Sequence, residues 1–339
     1  MINAAIIGYG YWGPNIVRNF NAHPEIQVLK ICDISSKNLN LAMDTYPDVD
    51  TTIDPKNIFN DKDIDLVAIV TPVHTHYDLA KKALLNDKHI FIEKPFTSTS
   101  DQAKELIDIA EKKKLTIMVD HTFLFTSAVK KIKELINNEI LGNLLYYNSV
   151  RVNLGIFQHD VNVIWDLAPH DISIVNYLVK DLKPLSVNAI GSKHFGRGME
   201  DVAYLHVKFE NDFIANFHVN WLSPVKLRQT LIAGQNKMLL WDDLSSDEKI
   251  KIYDKGVDLK TKEGAYNLLV AYRSGDMWSP QLPVVEALKL ETEYLVKCIN
   301  SQKRPINDGI DGLKVVRILE ASQKSIKNGG GEVVLEDIL

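Results

Sequence analysis

Ala4-Ala5-Ile6-Ile7-Gly8-Tyr9-Gly10-Tyr11-Trp12-Gly13 is an apolar run that breaks into three glycines at Gly-x-Gly-x-x-Gly spacing, and a helical pattern follows it. A second apolar run, Val28–Cys32, ends on Asp33, twenty residues past Gly13. A strand, a glycine turn, a helix and a second strand closed by an acid describe a dinucleotide-binding βαβ unit. The glycines permit a tight turn and bring a pyrophosphate close to the helix N-terminus, whose unpaired N–H groups bind anions. Backbone N–H groups near Tyr11 and Trp12 are expected to do this. Asp33 is expected to accept hydrogen bonds from the ribose hydroxyls, and its charge repels a 2′-phosphate. Gly8, Gly10, Tyr11, Trp12, Gly13 and Asp33 are therefore expected to hold NAD; NADP is disfavoured, with Lys37 the one nearby cation that suits it.

Outward from this unit, the apolar runs Ile64–Val70, His89–Ile92 and Thr116–Val119 alternate with helical patterns at Asp78–Leu85 and Gln102–Glu111. Alternating strand and helix predicts an α/β doubly wound parallel sheet, its strands apolar throughout because helices cover both faces. Past residue 120 the pattern changes. A helix at Ala128–Ile140 leads into strands with period-two alternation, among them the hairpin Asp201–Phe209, Glu210-Asn211-Asp212, Phe213–Trp221, then Arg228–Ala233 and Met238–Trp241. Helical patterns return at Pro283–Cys298 and Gly309–Lys327, before the stop at Gly329-Gly330-Gly331. The expected division is a cofactor domain over 1–120 and an α+β domain with an open, mostly antiparallel sheet over 121–339.

The 339 residues, 45% hydrophobic, suffice for two cores, and a formal charge of −5 argues against a nucleic-acid partner. Lys112-Lys113-Lys114 reads as a solvated helix C-terminus. Cys32 and Cys298 lack metal-type spacing, so no metal or disulfide is expected and the compartment reads as reducing. The chain opens directly on strand residues, too short an apolar stretch for a signal peptide, and no run nears the ~20 apolar residues of a membrane span, so a cytoplasmic protein is expected.

Three further words carry chemistry. Thr71-Pro72, with His74 and His76 after it, and Glu93-Lys94-Pro95 both follow apolar strands, and doubly wound sheets bind ligands at the carboxyl ends of their strands. Thr71, Pro72, His74, His76, Glu93 and Lys94 are expected to line the cofactor; turn and cap chemistry, or a salt-bridged turn, is the competing reading. Asp166 and His170 lie one helical turn apart and share a face, with Pro169 tolerated as a first-turn residue and an N-cap role for Asp166 as the alternative. Arg151 and Asn153 are candidates for a substrate carboxylate, phosphate or hydroxyl. Arg273, Asp276 and Trp278 read as a polar loop and further candidates, whereas Trp165 and Trp221 read as packing residues.

In this order and separation, Gly8-Tyr9-Gly10-Tyr11-Trp12-Gly13, Thr71-Pro72-x-x-x-His76, Glu93-Lys94-Pro95 and Asp166-x-x-x-His170 resemble the glucose–fructose oxidoreductase/inositol dehydrogenase/rhizopine-catabolism (Gfo/Idh/MocA) family over essentially the whole chain. The resemblance implies a Rossmann domain followed by an open-sheet domain through which dimers or tetramers form. It implies Lys94, Asp166 and His170 as catalytic groups that also meet the substrate. One departure is that Gln158–Trp165 stands where the family often has a Gly-rich segment, which bears on the substrate pocket. Tyr11-Trp12-Gly13-Pro14-Asn15 and Arg151-Val152-Asn153-Leu154-Gly155 look most like members that oxidise C3 of UDP-N-acetylglucosamine or its uronic acid. The implied activity is NAD-dependent oxidation of a sugar or nucleotide-sugar alcohol. An NAD-dependent glycosidase, a free-sugar or inositol dehydrogenase and a non-catalytic regulator remain open alternatives.

Overall fold

The computed structural model describes residues 1–155, 157–158, 160–195, 198–259 and 270–336. Two compact units emerge: Met1–Phe125 with Val285–Arg317, and Thr126–Val284 with Ile318–Leu339.

In the first unit, β1 (Ile2–Ile7), α1 (Gly13–Ala22), β2 (Ile26–Cys32), α2 (Ser36–Thr45), β3 (Asp50–Thr52), α3 (Lys56–Phe59), β4 (Leu66–Ile69), α4 (Val73–Leu85), β5 (His89–Glu93), α5 (Ser100–Lys113) and β6 (Ile117–Asp120) alternate along the chain. The strands pair in parallel in the order β3-β2-β1-β4-β5-β6. This is the dinucleotide-binding order, with its switch point between β1 and β4. The sequence reading lacked β3, a polar edge strand of three residues with no periodicity to detect. Helix limits follow local chemistry: Thr99 caps α5 by accepting from the Gln102 N–H at 3.3 Å, and Lys112 and Lys113 sit in its last turn.

The packing does not divide the chain at residue 120. Helix α8 (Ala287–Ser301) and the start of α9 (Gly309–Lys327) belong to the first unit. Leu288, Leu295 and Val296 lie on one face of α8 and join the core made by Ile16, Val17 and Phe20 of α1 and Ala4 and Ile6 of β1. Helical periodicity shows that α8 has an apolar face; it does not say which sheet that face covers. The helix begins at Ala287 rather than Pro283, after the extended cap residue Glu286.

The second unit opens with α6 (Ser127–Asn137), capped by Thr126, and continues through β7 (Leu144–Leu154), α7 (Val163–Leu178), β8 (Pro184–Ser192), β9 (Val202–Phe209), β10 (Ile214–Asn220), β11 (Leu222–Gly234), β12 (Met238–Asp242), β13 (Ile250–Leu259), β14 (Val270–Trp278) and β15 (Val333–Val334). Its sheet runs β14-β13-β12-β11-β7-β10-β9-β8-β15, antiparallel except where β7 and β10 pair in parallel. The hairpin is as read: Ala203, Leu205 and Val207 oppose Val219, Phe217 and Ala215, all buried on the face beside α7. Arg273, Asp276 and Trp278, expected in a loop, lie on β14.

Leu295 is fully buried in the first unit's core. Leu295→Ala is expected to cost about 2–5 kcal/mol. Urea unfolding followed by a first-unit tryptophan signal checks it; an unchanged midpoint would detach α8 from that core.

Candidate functional site

The glycine loop is built by contact, not by flexibility alone. Gly8 has φ +103°, and a Cβ there would stand 2.3 Å from the Val70 carbonyl oxygen; a Cβ on Gly13 would stand 2.4 Å from that of Gly8. Around Gly10 a Cβ would meet nothing within 4 Å. Trp12 caps α1 without a side-chain acceptor, Pro14 follows inside the first turn, and Tyr11 is 92% exposed. Asp33 is buried, and its carboxylate receives the Tyr9 and Ser35 N–H groups, both at 2.7 Å. Each oxygen thereby retains acceptor capacity for a hydroxyl. Lys37 is exposed beyond it.

At the end of β4 the expected residues separate. Pro72 and His74 are exposed, whereas Thr71 shares a 2.6 Å hydrogen bond with Thr75. His76 is fully buried, with Nε2 2.7 Å from the Thr71 carbonyl and Nδ1 2.9 Å from the Pro95 carbonyl. Burial pushes its pKa down, and the ring is wedged between the Thr71 and Pro95 carbonyls at the ends of β4 and β5, each within hydrogen-bond distance of one ring nitrogen. His76 is thus a brace under the crevice, not the cofactor lining that the sequence reading expected.

At the end of β5, Glu93 and Lys94 are half-buried. Glu93 lies in register with Asp120, the last residue of β6. Burial first, then the Asp120 carboxylate, push the Glu93 carboxyl well above the ordinary range. Asp120 also accepts the Trp12 indole N–H at 2.8 Å, which joins the glycine loop to this corner. Sequence reading missed Asp120; the available signal was an acid ending the apolar strand Ile117–Asp120. By contrast, a cavity of about 390 Å³ lined by His89, Lys114, Thr116 and Arg304 sits at the amino ends of β5 and β6, opposite the crevice.

In the second unit, Asn162 rather than Asp166 caps α7, accepting from the Trp165 N–H at 3.1 Å. Pro169 therefore lies in the second turn, not the first. Asp166 and His170, four residues apart and both half-buried, share one face, and Asp166 accepts the Trp221 indole N–H at 3.0 Å. Trp165 is buried and donates to Gln323 at 2.8 Å, a packing role as read. Arg151, expected to meet substrate, is buried instead in a forked ion pair with Asp171, at 2.7 and 3.0 Å. Asn153 is half-buried near the end of β7.

Residues 2–121 match the oxidoreductase family with an NAD-binding Rossmann fold, and residues 129–240 match the GFO/IDH/MocA C-terminal domain. The chain belongs to the Gfo/Idh/MocA oxidoreductase family. The uncharacterized oxidoreductase YdgJ of Escherichia coli (strain K12) is 34% identical over 50% of this chain and 51% of its own. The UDP-N-acetylglucosamine 3-dehydrogenase of Acidithiobacillus ferrooxidans is 24% identical over 93% of this chain and 94% of its own. Levoglucosan dehydrogenase in complex with NADH shares the fold, with a TM-score of 0.85 at 20% identity, covering 99% of this chain and 100% of that one.

The loop of this Gfo/Idh/MocA chain fits NAD: Gly10 leaves one side open, and the uncapped start of α1 presents its N–H groups beside it. Two glycine variants separate folding from binding. Gly8→Ala is expected to lose the cooperative thermal transition of the first unit. Gly10→Ala should keep its Tm and bind NAD about tenfold more weakly, roughly 1.4 kcal/mol. Calorimetry and NAD titration read both; full NAD affinity in Gly10→Ala would remove that open side from the cofactor site.

Proposed function

We propose that this chain oxidises a secondary alcohol of a sugar with NAD, and that its substrate is a nucleotide sugar, a UDP-N-acetylhexosamine or its uronic acid, oxidised at C3. The dehydrogenase reading is carried by one observation: Asp166 and His170 share a face of α7, with Asp166 held by Trp221. The nucleotide-sugar reading is supported by the likeness to the Acidithiobacillus UDP-N-acetylglucosamine 3-dehydrogenase. In this scheme His170 takes the hydroxyl proton, Asp166 orients the imidazole and stabilises its cation, and Lys94 steadies the oxygen as negative charge develops on it. NAD, when bound, supplies the hydride acceptor. Arg151, spent on Asp171, is left out of substrate recognition in this scheme; Asn153 stays in it as a hydroxyl partner. In this reading the reaction takes place in the cytoplasm, where free NAD is supplied.

The same reading includes a homo-oligomer. Ile190, Tyr204, Ile214 and Leu231 are 64%, 48%, 45% and 45% exposed on β8 to β11, on the sheet face opposite the buried one. Tyr204 stacks on His218 at 4.3 Å, giving a flat surface suited to a second copy of the same face.

The test is NADH absorbance with NAD and a panel of UDP-N-acetylglucosamine, its uronic acid, free sugars and inositol. Signal with nucleotide sugars alone is expected; signal with free polyols alone would overturn the substrate class. Release of free sugar from a glycoside without net NADH would replace the dehydrogenase by a glycosidase. His170→Ala should keep NAD binding and lose about 10²–10⁴-fold in kcat. Light scattering should give a dimer or tetramer, reduced in order by Tyr204→Lys with Leu231→Lys; a monomeric wild type would sink the interface.

A further inference from the structure

The corner where β5, β6 and α8 meet leaves a hydrogen-bond account that does not close with ionised carboxylates. Asp120 accepts the Thr122 hydroxyl on Oδ1 and the Trp12 indole N–H on Oδ2. Glu291 of α8 is fully buried; its Oε1 accepts from the Asn307 amide at 2.9 Å, and the other Asn307 hydrogen is spent on the Val119 carbonyl at 2.7 Å. Glu291 Oε2 is buried with no donor among the described residues, and what faces it is the Asp120 carboxylate. The one hydroxyl hydrogen of Thr122 already goes to Asp120. Glu93 also meets Asp120, in register across β5 and β6. Carboxylates that face each other this closely out of water must share protons, because like charges at contact cannot all ionise. Both glutamates follow this logic: burial, then Asp120, push each well above the ordinary carboxylate range.

We propose that Glu93, Asp120 and Glu291 form one proton-holding cluster that answers the charge of the bound cofactor, giving up a proton when oxidised NAD binds and keeping it when NADH binds. The two cofactor forms differ by the positive charge of the oxidised nicotinamide, and a cation near an acid favours its ionised form. The proton leaves a glutamate Oε–H for solvent buffer, and no other bond changes. Around the cluster lie Lys94 beside Glu93, His121 next after Asp120, and Trp12 from the glycine loop; Asp311, in the first turn of α9 and with Asp308 beside it, stands 3.9 Å from the His121 ring. His121 is buried, held near pKa 3 by burial and the Lys94 cation, and so does not titrate in the neutral range. Asp311 is pushed up to about 8 by burial and Asp308, and Asp308 is itself raised by burial, so this pair is the neighbour able to imitate the signal.

This inference rests on NAD binding alone and not on the proposed substrate, so it is tested without substrate. Calorimetric titration of the full chain with NAD and with NADH, each in two buffers of different ionisation enthalpy, counts protons. Wild type should release protons with NAD and not with NADH, and NAD affinity should rise with pH, by up to about tenfold per unit for one proton. Asp120→Asn and Glu291→Gln keep the Trp12 and Asn307 bonds and should each abolish the release, whereas Asp311→Asn should leave it intact. In the cofactor-free protein, infrared difference spectra should show a protonated carboxyl band that Glu291→Gln removes. Equal proton counts for NAD and NADH, a release surviving in either cluster variant that folds, or its loss in Asp311→Asn would overturn the proposal.

Discussion

The β1–α1 turn closes on itself: Gly13 approaches the Gly8 carbonyl and Gly8 approaches that of Val70, with no room at either place for a side-chain carbon. Everything in the first unit's crevice depends on this closure. It fixes where α1 begins, and therefore where its N–H groups point. It brings the end of β1 against the residue after β4, at the switch point between those strands. It also sets Trp12 where its indole reaches Asp120 on β6. Turn geometry and crevice geometry are thus one constraint, because the contacts that force glycine at 8 and 13 position the groups across the sheet.

Much of this was legible in the sequence because the signals are local. The glycine spacing, the apolar strands and the helix caps each depend on residues a few positions apart, and β1, β2, β4, β5 and β6 follow from them. The Asp166–His170 spacing likewise fixes a shared helix face wherever the helix starts. What was misread depended on long-range partners. His76 looks like a loop residue, and only the approach of the Thr71 and Pro95 carbonyls turns it into a buried brace. Arg151 looks available until Asp171, the residue next after His170, is found on its guanidinium. The cap of α7 shifted because Asn162 competes for the same role as Asp166, and propensity ranks the two about equally.

The return of α8 to the first unit is the clearest limit of pattern reading. Its apolar stripe is evident, yet a stripe states only that something covers it. The consequence reaches chemistry as well as packing. Leu288, Leu295 and Val296 anchor the helix in the β1–α1 core, and the same helix carries Glu291 to Asp120. A residue from the far end of the chain thereby enters the corner that begins with the glycine loop.

Burying three carboxylates at the end of a sheet works against folding, since each desolvated charge costs several kcal/mol unless it is paired or protonated. The surrounding core offsets that cost: Phe20 of α1 packs edge-on against Phe91 of β5 at 5.7 Å, and both are buried with Ile6, Leu66 and Ala68 of the neighbouring strands. A fold selected for stability alone would fill the corner with apolar side chains, as it does at residues 90–92 of β5 and 117–119 of β6. The departure occurs where the strands end, at the edge of the sheet that meets ligands, and Glu93, Asp120 and Glu291 lie there together. Their concentration at that edge is what a site requires, because groups that must respond to a ligand's charge have to be held near ionisation balance, and only incomplete solvation holds them there.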